Sequence, residues 1–289
     1  MESGHDPAIK ATSSTDEAAR ELLQQSFCIF QSNPALRRKI SRARLEALKV
    51  LDQPSLVESL CLSCHQVIEG TLHGYHLPSP AKRLFRAFPS SELQPWPNST
   101  FKATSHDLAA SLHELLIDIL KKAIDLSESN NDQGKEAKPT VQLKDIKTLQ
   151  KKRKRGAVES SATSTKDSRS GTGLSIPVSV DHTSKCPLDY FFYHNEHESR
   201  HRVNCSEHID RGALICVCLS SATPGLEVLP RGVEDFVCPE AFLIHNKSLY
   251  EERHAVSGLI CIMAGDQLGR MLGLTERLAC VHRTFTITL

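Results

Sequence analysis

Apolar residues recur at helical spacing through the first part of the chain and switch to short extended runs in the last part. Residues 1–15 are polar and aperiodic, which predicts a disordered tail. Ala18, Leu22, Leu23 and Phe27 form one helical stripe. Ile40, Leu45, Leu48 and Leu51 form a second, on a strongly basic segment, and Leu56, Val57, Leu60, Cys61 and Cys64 continue it beyond the breaker Pro54. Pro78, Pro80, Pro89, Pro95 and Pro97 predict a loop stretch. A long amphipathic helix follows from about His106 to Leu126, with Ser105 as its N-cap and Leu108, Leu112, Leu115, Leu116, Ile119 and Leu120 along one face. Residues 16–126 thus read as a helical N-terminal region.

Between 127 and 185, Ser, Lys, Asn, Gly and Thr dominate and aromatics vanish. Such a segment buries too little apolar surface to offset its chain entropy, which predicts a disordered insertion. From Cys186 the pattern becomes extended. Leu188 to Tyr193, Ala213 to Leu219, Leu226 to Leu229, Leu259 to Met263 and Leu278 to Leu289 are β-rich runs, separated by Pro224-Gly225, Pro230-Arg231-Gly232 and Gly265-Asp266. Several short strands over residues 186–289 predict a barrel or jelly roll. The expected fold class is α+β: helices first, then a β-core.

Composition sets bounds on this picture. The 289 residues are 39% hydrophobic, enough for one large core or two smaller ones. A net charge of +1 creates no global field toward nucleic acid or membrane, so an electrostatic partner must be read by a local patch. One such patch is the run Lys151, Lys152, Arg153, Lys154 and Arg155. It is either a solvated charge run or a signal bound by a nuclear import receptor, and any nucleic-acid contact through it would be nonspecific and salt-sensitive. The N-terminus has no apolar core of a secretory signal, and the longest apolar runs are too short to span a bilayer. Ten cysteines, several inside apolar runs, then predict a reducing compartment, cytoplasmic or nuclear, without a disulfide framework.

The residues with the most chemical content are His208-Ile209-Asp210. On a strand, positions i and i+2 share a face, so an imidazole and a carboxylate would project side by side. His282 lies near the end of another short strand. Two His and one carboxylate on one face of a metal leave the opposite face open, which suits non-haem Fe(II). The bland alternative is a surface His beside a turn carboxylate, in a chain with 14 His.

The neighbourhood extends this pattern. The chain reads CPLDYFFYHN, SEHIDRGALICVCL, PGLEVLP, LICIMAGDQLGRML and ACVHRTFTI in that order. This series resembles the isopenicillin N synthase-like superfamily of Fe(II)- and 2-oxoglutarate-dependent oxygenases, in a form cut short at its C-terminus. The β-part of the resemblance covers Cys186 to Leu289, and the helices of 16–126 resemble the superfamily's helical N-terminal portion. It implies a double-stranded β-helix core, with His208, Asp210 and His282 holding Fe(II). The implied reaction decarboxylates 2-oxoglutarate and hydroxylates a C–H bond of an unknown substrate. Tyr193 falls where the superfamily has a tyrosine touching the 2-oxoglutarate carboxylate, and Phe191 replaces its asparagine. Gly265 and Asp266 match a structural turn. The superfamily also places an R-x-S pair beyond its distal His, and none follows His282 before Leu289. Arginine clamps the far carboxylate there, so weak cosubstrate binding is expected, and a non-catalytic binding or regulatory protein of the same fold is the alternative.

Two other signals compete. Cys61-Leu62-Ser63-Cys64-His65 matches a c-type haem attachment pattern, although Cys61 and Cys64 also fit the buried side of a helix. His194, Glu196, His197 and His201 are dense enough for a zinc site, although the stretch lacks periodicity and reads as a solvated loop.

Overall fold

The computed structural model describes residues 9–53, 59, 64–68, 71–79, 82–132, 186–193, 203–219, 225–239, 258–274 and 278–285. The order is β1 (Ala11–Thr12), α1 (Thr15–Gln25), β2 (Phe27–Gln31), α2 (Pro34–Leu51), β3 (His65–Ile68), β4 (Thr71–Ser79), β5 (Lys82–Ala87) and α3 (Ser99–Asp132), followed by β6 (Leu188–Tyr193), β7 (Val203–His208), β8 (Leu214–Cys218), β9 (Leu226–Leu229), β10 (Leu259–Ala264), α4 (Leu268–Met271) and β11 (Val281–Phe285). Three sheets result, with strand orders β1-β2-β10-β8, β7-β11-β9 and β3-β4-β5-β6. The architecture is mixed α+β with antiparallel sheets; the short β1 pairs in parallel with β2.

The first sheet is buried on both faces. Alternation sends Cys28, Phe30, Ile260 and Ile262 toward Leu22, Leu36, Ile40, Leu112 and Ile119 of the helices. It sends Phe27, Ile29, Leu259, Cys261 and Met263 the other way, against Leu226, Val228 and Cys280. Each fully buried large side chain contributes roughly 1.5–3 kcal/mol. This double burial explains why β10 is continuously apolar rather than alternating.

The third sheet packs Tyr75, Phe85 and Ala87 with Val50, Leu51 and Phe101. Phe101 stands edge-on to Phe85 at 5.0 Å and meets Tyr190 at the same separation. The opposite face carries the pairs Lys82 with Tyr193, Leu84 with Phe191, and Arg86 with Asp189.

Several sequence expectations are corrected. Phe27 does not extend the first helix. Ser26 takes a left-handed conformation and caps α1 through Leu22, so Phe27 opens β2. Residues 65–87, expected as the end of a helix and a proline loop, hold β3, β4 and β5. Gly74, at φ +82°, lets β4 pass so close to Cys64 that an added Cβ would sit 1.6 Å from its carbonyl oxygen. The long helix starts earlier than expected, because Asn98 rather than Ser105 accepts from the Phe101 N–H, at 2.8 Å. Ser105 is buried inside α3 and bonds the Tyr190 hydroxyl at 2.9 Å. The helix also runs on to Asp132, so residues 127–132 are helical. The rest of the expected insertion, including Lys151 to Arg155, lies outside the described residues, as do Cys61 and the His194–His201 cluster. Cys64 is buried beside His65, which opens β3 rather than continuing a helix. Among the described residues no helix is long and apolar enough to cross a membrane, and the cysteines there are free thiols.

Candidate metal centre

β7 and β11 are neighbours, and their register sets His208 directly opposite His282. The two rings lie 4.2 Å apart. β7 ends at His208, so Asp210 stands in the loop beyond it rather than on the strand. Strand alternation therefore does not place the carboxylate. The loop is held by backbone bonds from the segment after β10: Asp266 N–H to Asp210 O at 3.0 Å, Gln267 N–H to Gly212 O at 2.9 Å, and Gly265 N–H to Ala213 O at 2.9 Å. Gly212 is at φ +127°, and a Cβ on Gly265 would meet the Gly212 carbonyl oxygen at 2.4 Å. Only glycine permits that approach, so the Gly-Asp turn locks the loop that aims Asp210.

The result is convergent. His282 Nε2 is 3.4 Å from Asp210 Oδ2, and His208 Nε2 is 3.7 Å from Asp210 Oδ1. The three side chains offer ligand atoms that all lie within 4.8 Å of one another. His282 is buried, while His208 and Asp210 are partly open to solvent, so the cluster is anchored on one side and accessible on the other. The Nδ1 edge of His208 faces the Ser206 carbonyl at 2.7 Å, and that of His282 faces the Cys280 carbonyl at 3.5 Å. With a metal bound, those carbonyls favour the proton on Nδ1 and leave Nε2 to donate its lone pair; with none bound, a His282 Nε2–H faces the Asp210 carboxylate. The Asp210 carboxyl is held below the usual carboxylate range by its hydrogen bond with His282. Partial burial opposes this, and the charges of His282, His208 and Arg86 add to it. The donor set, two imidazoles and an ionised carboxylate with one side open, fits a divalent metal of the Fe(II) type.

The other residues singled out from sequence sit apart from this convergence. Tyr193 lies on β6, stacked on Phe191 at 6.1 Å, with Lys82 Nζ 5.4 Å from its ring centre. Arg283 projects from the side of β11 opposite His282, bonding Glu227 at 2.8 Å and Glu207 at 3.0 Å. Sequence reasoning missed Arg86. Its guanidinium forms a two-pronged pair with Asp189, Nε to Oδ1 at 2.8 Å and Nη2 to Oδ2 at 2.5 Å, and its charge reaches Asp210. The available signal was the alternation of Lys82, Leu84 and Arg86, which the surrounding prolines obscured.

No model of a known protein family matches the chain, and no curated protein matches it. Solved structures do. A Shewanella oneidensis protein assigned as an oxygenase is 14% identical with a TM-score of 0.59, covering 97% of this chain and 83% of its own. The rice dioxygenase for auxin oxidation gives the same identity and TM-score, over 97% of this chain and 79% of its own. A full-length Neurospora crassa protein, solved in complex with alpha-KG, is 13% identical with a TM-score of 0.55, over 93% of this chain and 72% of its own. At such identities the likeness is one of fold: the chain shares its fold with solved proteins described as oxygenases and dioxygenases, among them a Caulobacter crescentus protein described as of the 2OG-Fe(II) oxygenase family, 16% identical with a TM-score of 0.54.

Proposed function

We propose that the chain is an Fe(II)- and 2-oxoglutarate-dependent oxygenase whose metal is held by His208, Asp210 and His282. The observation that carries this reading is the convergence of the three ligand atoms within 4.8 Å on a fold shared with such enzymes. The two facing sheets, β1-β2-β10-β8 and β7-β11-β9, are read as the walls of a double-stranded β-helix. Relatives of this fold include a protein solved with alpha-KG and one solved with 2-oxoglutarate, which supports the same cosubstrate here.

Each residue has a distinct task. His282, buried between β7 and β9, supplies the fixed anchor. His208 supplies the second imidazole at the mouth of the site, its ring oriented by the Ser206 carbonyl. Asp210 supplies the charge and is ionised at neutral pH, so binding a cation there needs no proton release from it. Three protein ligands would leave the remaining coordination positions of such a metal to the cosubstrate's 2-oxo acid end and O₂. When bound, Fe(II) with 2-oxoglutarate supplies oxidative decarboxylation coupled to hydroxylation of a C–H bond, with succinate and CO₂ as products. Tyr193 keeps only the role that the resemblance implies, a contact with the 2-oxoglutarate carboxylate.

The test is anaerobic Fe(II) titration by calorimetry, followed by a succinate-release assay with 2-oxoglutarate in air. The expected result is saturable Fe(II) binding and succinate formation in the wild type. Asp210→Ala should weaken Fe(II) by more than about a hundredfold, since outer contacts alone carry tenfold to hundredfold. Wild-type protein that binds Fe(II) no better than Asp210→Ala would overturn the reading.

A further inference from the structure

Most of the charge on α2 is used neither by the fold nor by the metal centre. The helix carries six cations, Arg37, Arg38, Lys39, Arg42, Arg44 and Lys49, against one acid, Glu46. Its inner side is fixed by Leu36, Ile40, Ala43, Ala47, Val50 and Leu51, all buried. At about 3.6 residues per turn, the opposite side presents Arg38, Ser41, Arg42, Leu45, Leu48 and Lys49 along roughly 16 Å. All six are exposed, Leu45 at 56% and Leu48, one turn on, at 39%. No carboxylate stands on this face. Glu46 lies at its edge and accepts from Lys49 at 2.7 Å, and Asp107 of α3 is taken by Lys39, also at 2.7 Å. Among the described residues Arg38 and Arg42 have no ion-pair or hydrogen-bond partner. Beside these two arginines a cleft of about 320 Å³ opens between α2 and α3, with Lys39, Thr104 and Asp107 on its walls. A helix face that only meets solvent usually mixes both signs of charge and keeps its leucines inside. This one is of a single sign and carries two leucines between its cations.

We infer that the outer face of α2 is a docking surface for an acidic amphipathic helix of another protein, which buries Leu45 and Leu48 and sets carboxylates against Arg38, Arg42 and Lys49. Anchors at i, i+4, i+7 and i+11 are the spacing by which one helix lies along another. Charge complementarity makes the occupant acidic, and the leucine pair makes it amphipathic. A phosphate backbone would leave the two leucines in water. A bilayer surface would cover the leucines but, being flat, would not enter the cleft beside Arg38 and Arg42, where the side chains of a helix reach. The inference does not depend on the oxygenase reading.

The experiment titrates the full chain into a fluorescein-labelled synthetic helix of about four heptads, with leucine at the first and fourth positions of each and glutamate elsewhere. Anisotropy reports binding. A second probe with serine in place of leucine isolates the charge. Vesicles of phosphatidylserine and phosphatidylcholine, and oligothymidylate, are the competing probes. The leucine probe is expected to bind saturably and to weaken by at least about tenfold between about 50 and about 500 mM salt. Arg38→Glu combined with Arg42→Glu should weaken it by at least about tenfold, because like charges then face each other. Leu45→Ser should weaken it by about fivefold or more, since its burial is lost, and the serine probe should bind the wild type with a similar deficit. These positions are exposed, so melting temperatures should stay near that of the wild type. Arg38→Gln combined with Arg42→Gln, expected to lose about fivefold, carries the test if the charge reversal disturbs the fold. A chain that does not bind the leucine probe, that binds it equally after either the arginine or the leucine substitution, or that binds the vesicles or oligothymidylate more tightly overturns the inference.

Discussion

At the scale of single residues, the centre depends on groups that are not ligands. Gly265 permits a backbone approach that any side chain would block, and that approach holds the loop carrying Asp210. Gly265→Ala must push the Gly212 carbonyl away, which should cost about 1–3 kcal/mol in denaturant unfolding. Because Asp210 sits on the same loop, Fe(II) affinity should drop by roughly tenfold to hundredfold although every ligand remains. A variant with wild-type stability and wild-type Fe(II) affinity would show that the turn does not position the carboxylate. The His208-x-Asp210 pattern was legible in sequence, but the reason it works was not. Alternation along one strand was expected to align the two side chains, and the loop beyond β7 does so instead.

At the scale of elements, the long helix α3 links the helical layer to the third sheet. Its start is set by Asn98, and Ser105, a plausible cap by sequence, is a buried partner of Tyr190. The two substitutions should therefore differ in kind. Asn98→Ala removes a cap and should cost about 1 kcal/mol. Ser105→Ala leaves the Tyr190 hydroxyl without that partner in a site whose burial already pushes its pKa up, and should cost about 1–3 kcal/mol. Adding Tyr190→Phe should recover part of the Ser105→Ala loss, which a double-mutant cycle by urea unfolding measures. The third sheet shows why elements were misread. A strand such as KRLFRA mixes long cations with apolar residues, and its inward face is decided by α2 and α3, which lie outside the strand's own pattern.

At the scale of the whole molecule, burial governs the thiols. Cys280 is buried between the two facing sheets, and burial raises its pKa from the ordinary 9.0 to about 11. Cys28, buried on the helical side of the first sheet, is shifted in the same direction for the same reason. The folded chain then holds protons that the unfolded chain releases. This stabilisation is complete below pH 9 and is lost as pH rises from 9 toward 11, so unfolding midpoints should fall across that window. Alkylation of Cys28 and Cys280 at pH 8 should require denaturant, as mass spectrometry of the labelled peptides would reveal. For the run Lys151 to Arg155, which lies outside the described residues, a nuclear import signal is proposed against the alternative of a solvated charge run. A reporter carrying residues 127–185 should concentrate in the nucleus, and its Lys/Arg-to-Ala version should not; equal distribution of the two would refute the signal. The sequence by itself determined the α+β class, the order of the β-rich runs from Leu188 onward, the long amphipathic helix and the identity of the three convergent side chains. These are local patterns, and periodicity and residue chemistry record them directly. Only the tertiary structure decided that Phe27 opens a buried strand, that residues 65–87 form a meander, and that Arg86 pairs with Asp189. The first and the last depend on pairing between segments distant along the chain, and the meander, though built of local hairpins, has its buried face set by α2 and α3, so burial outweighs local propensity.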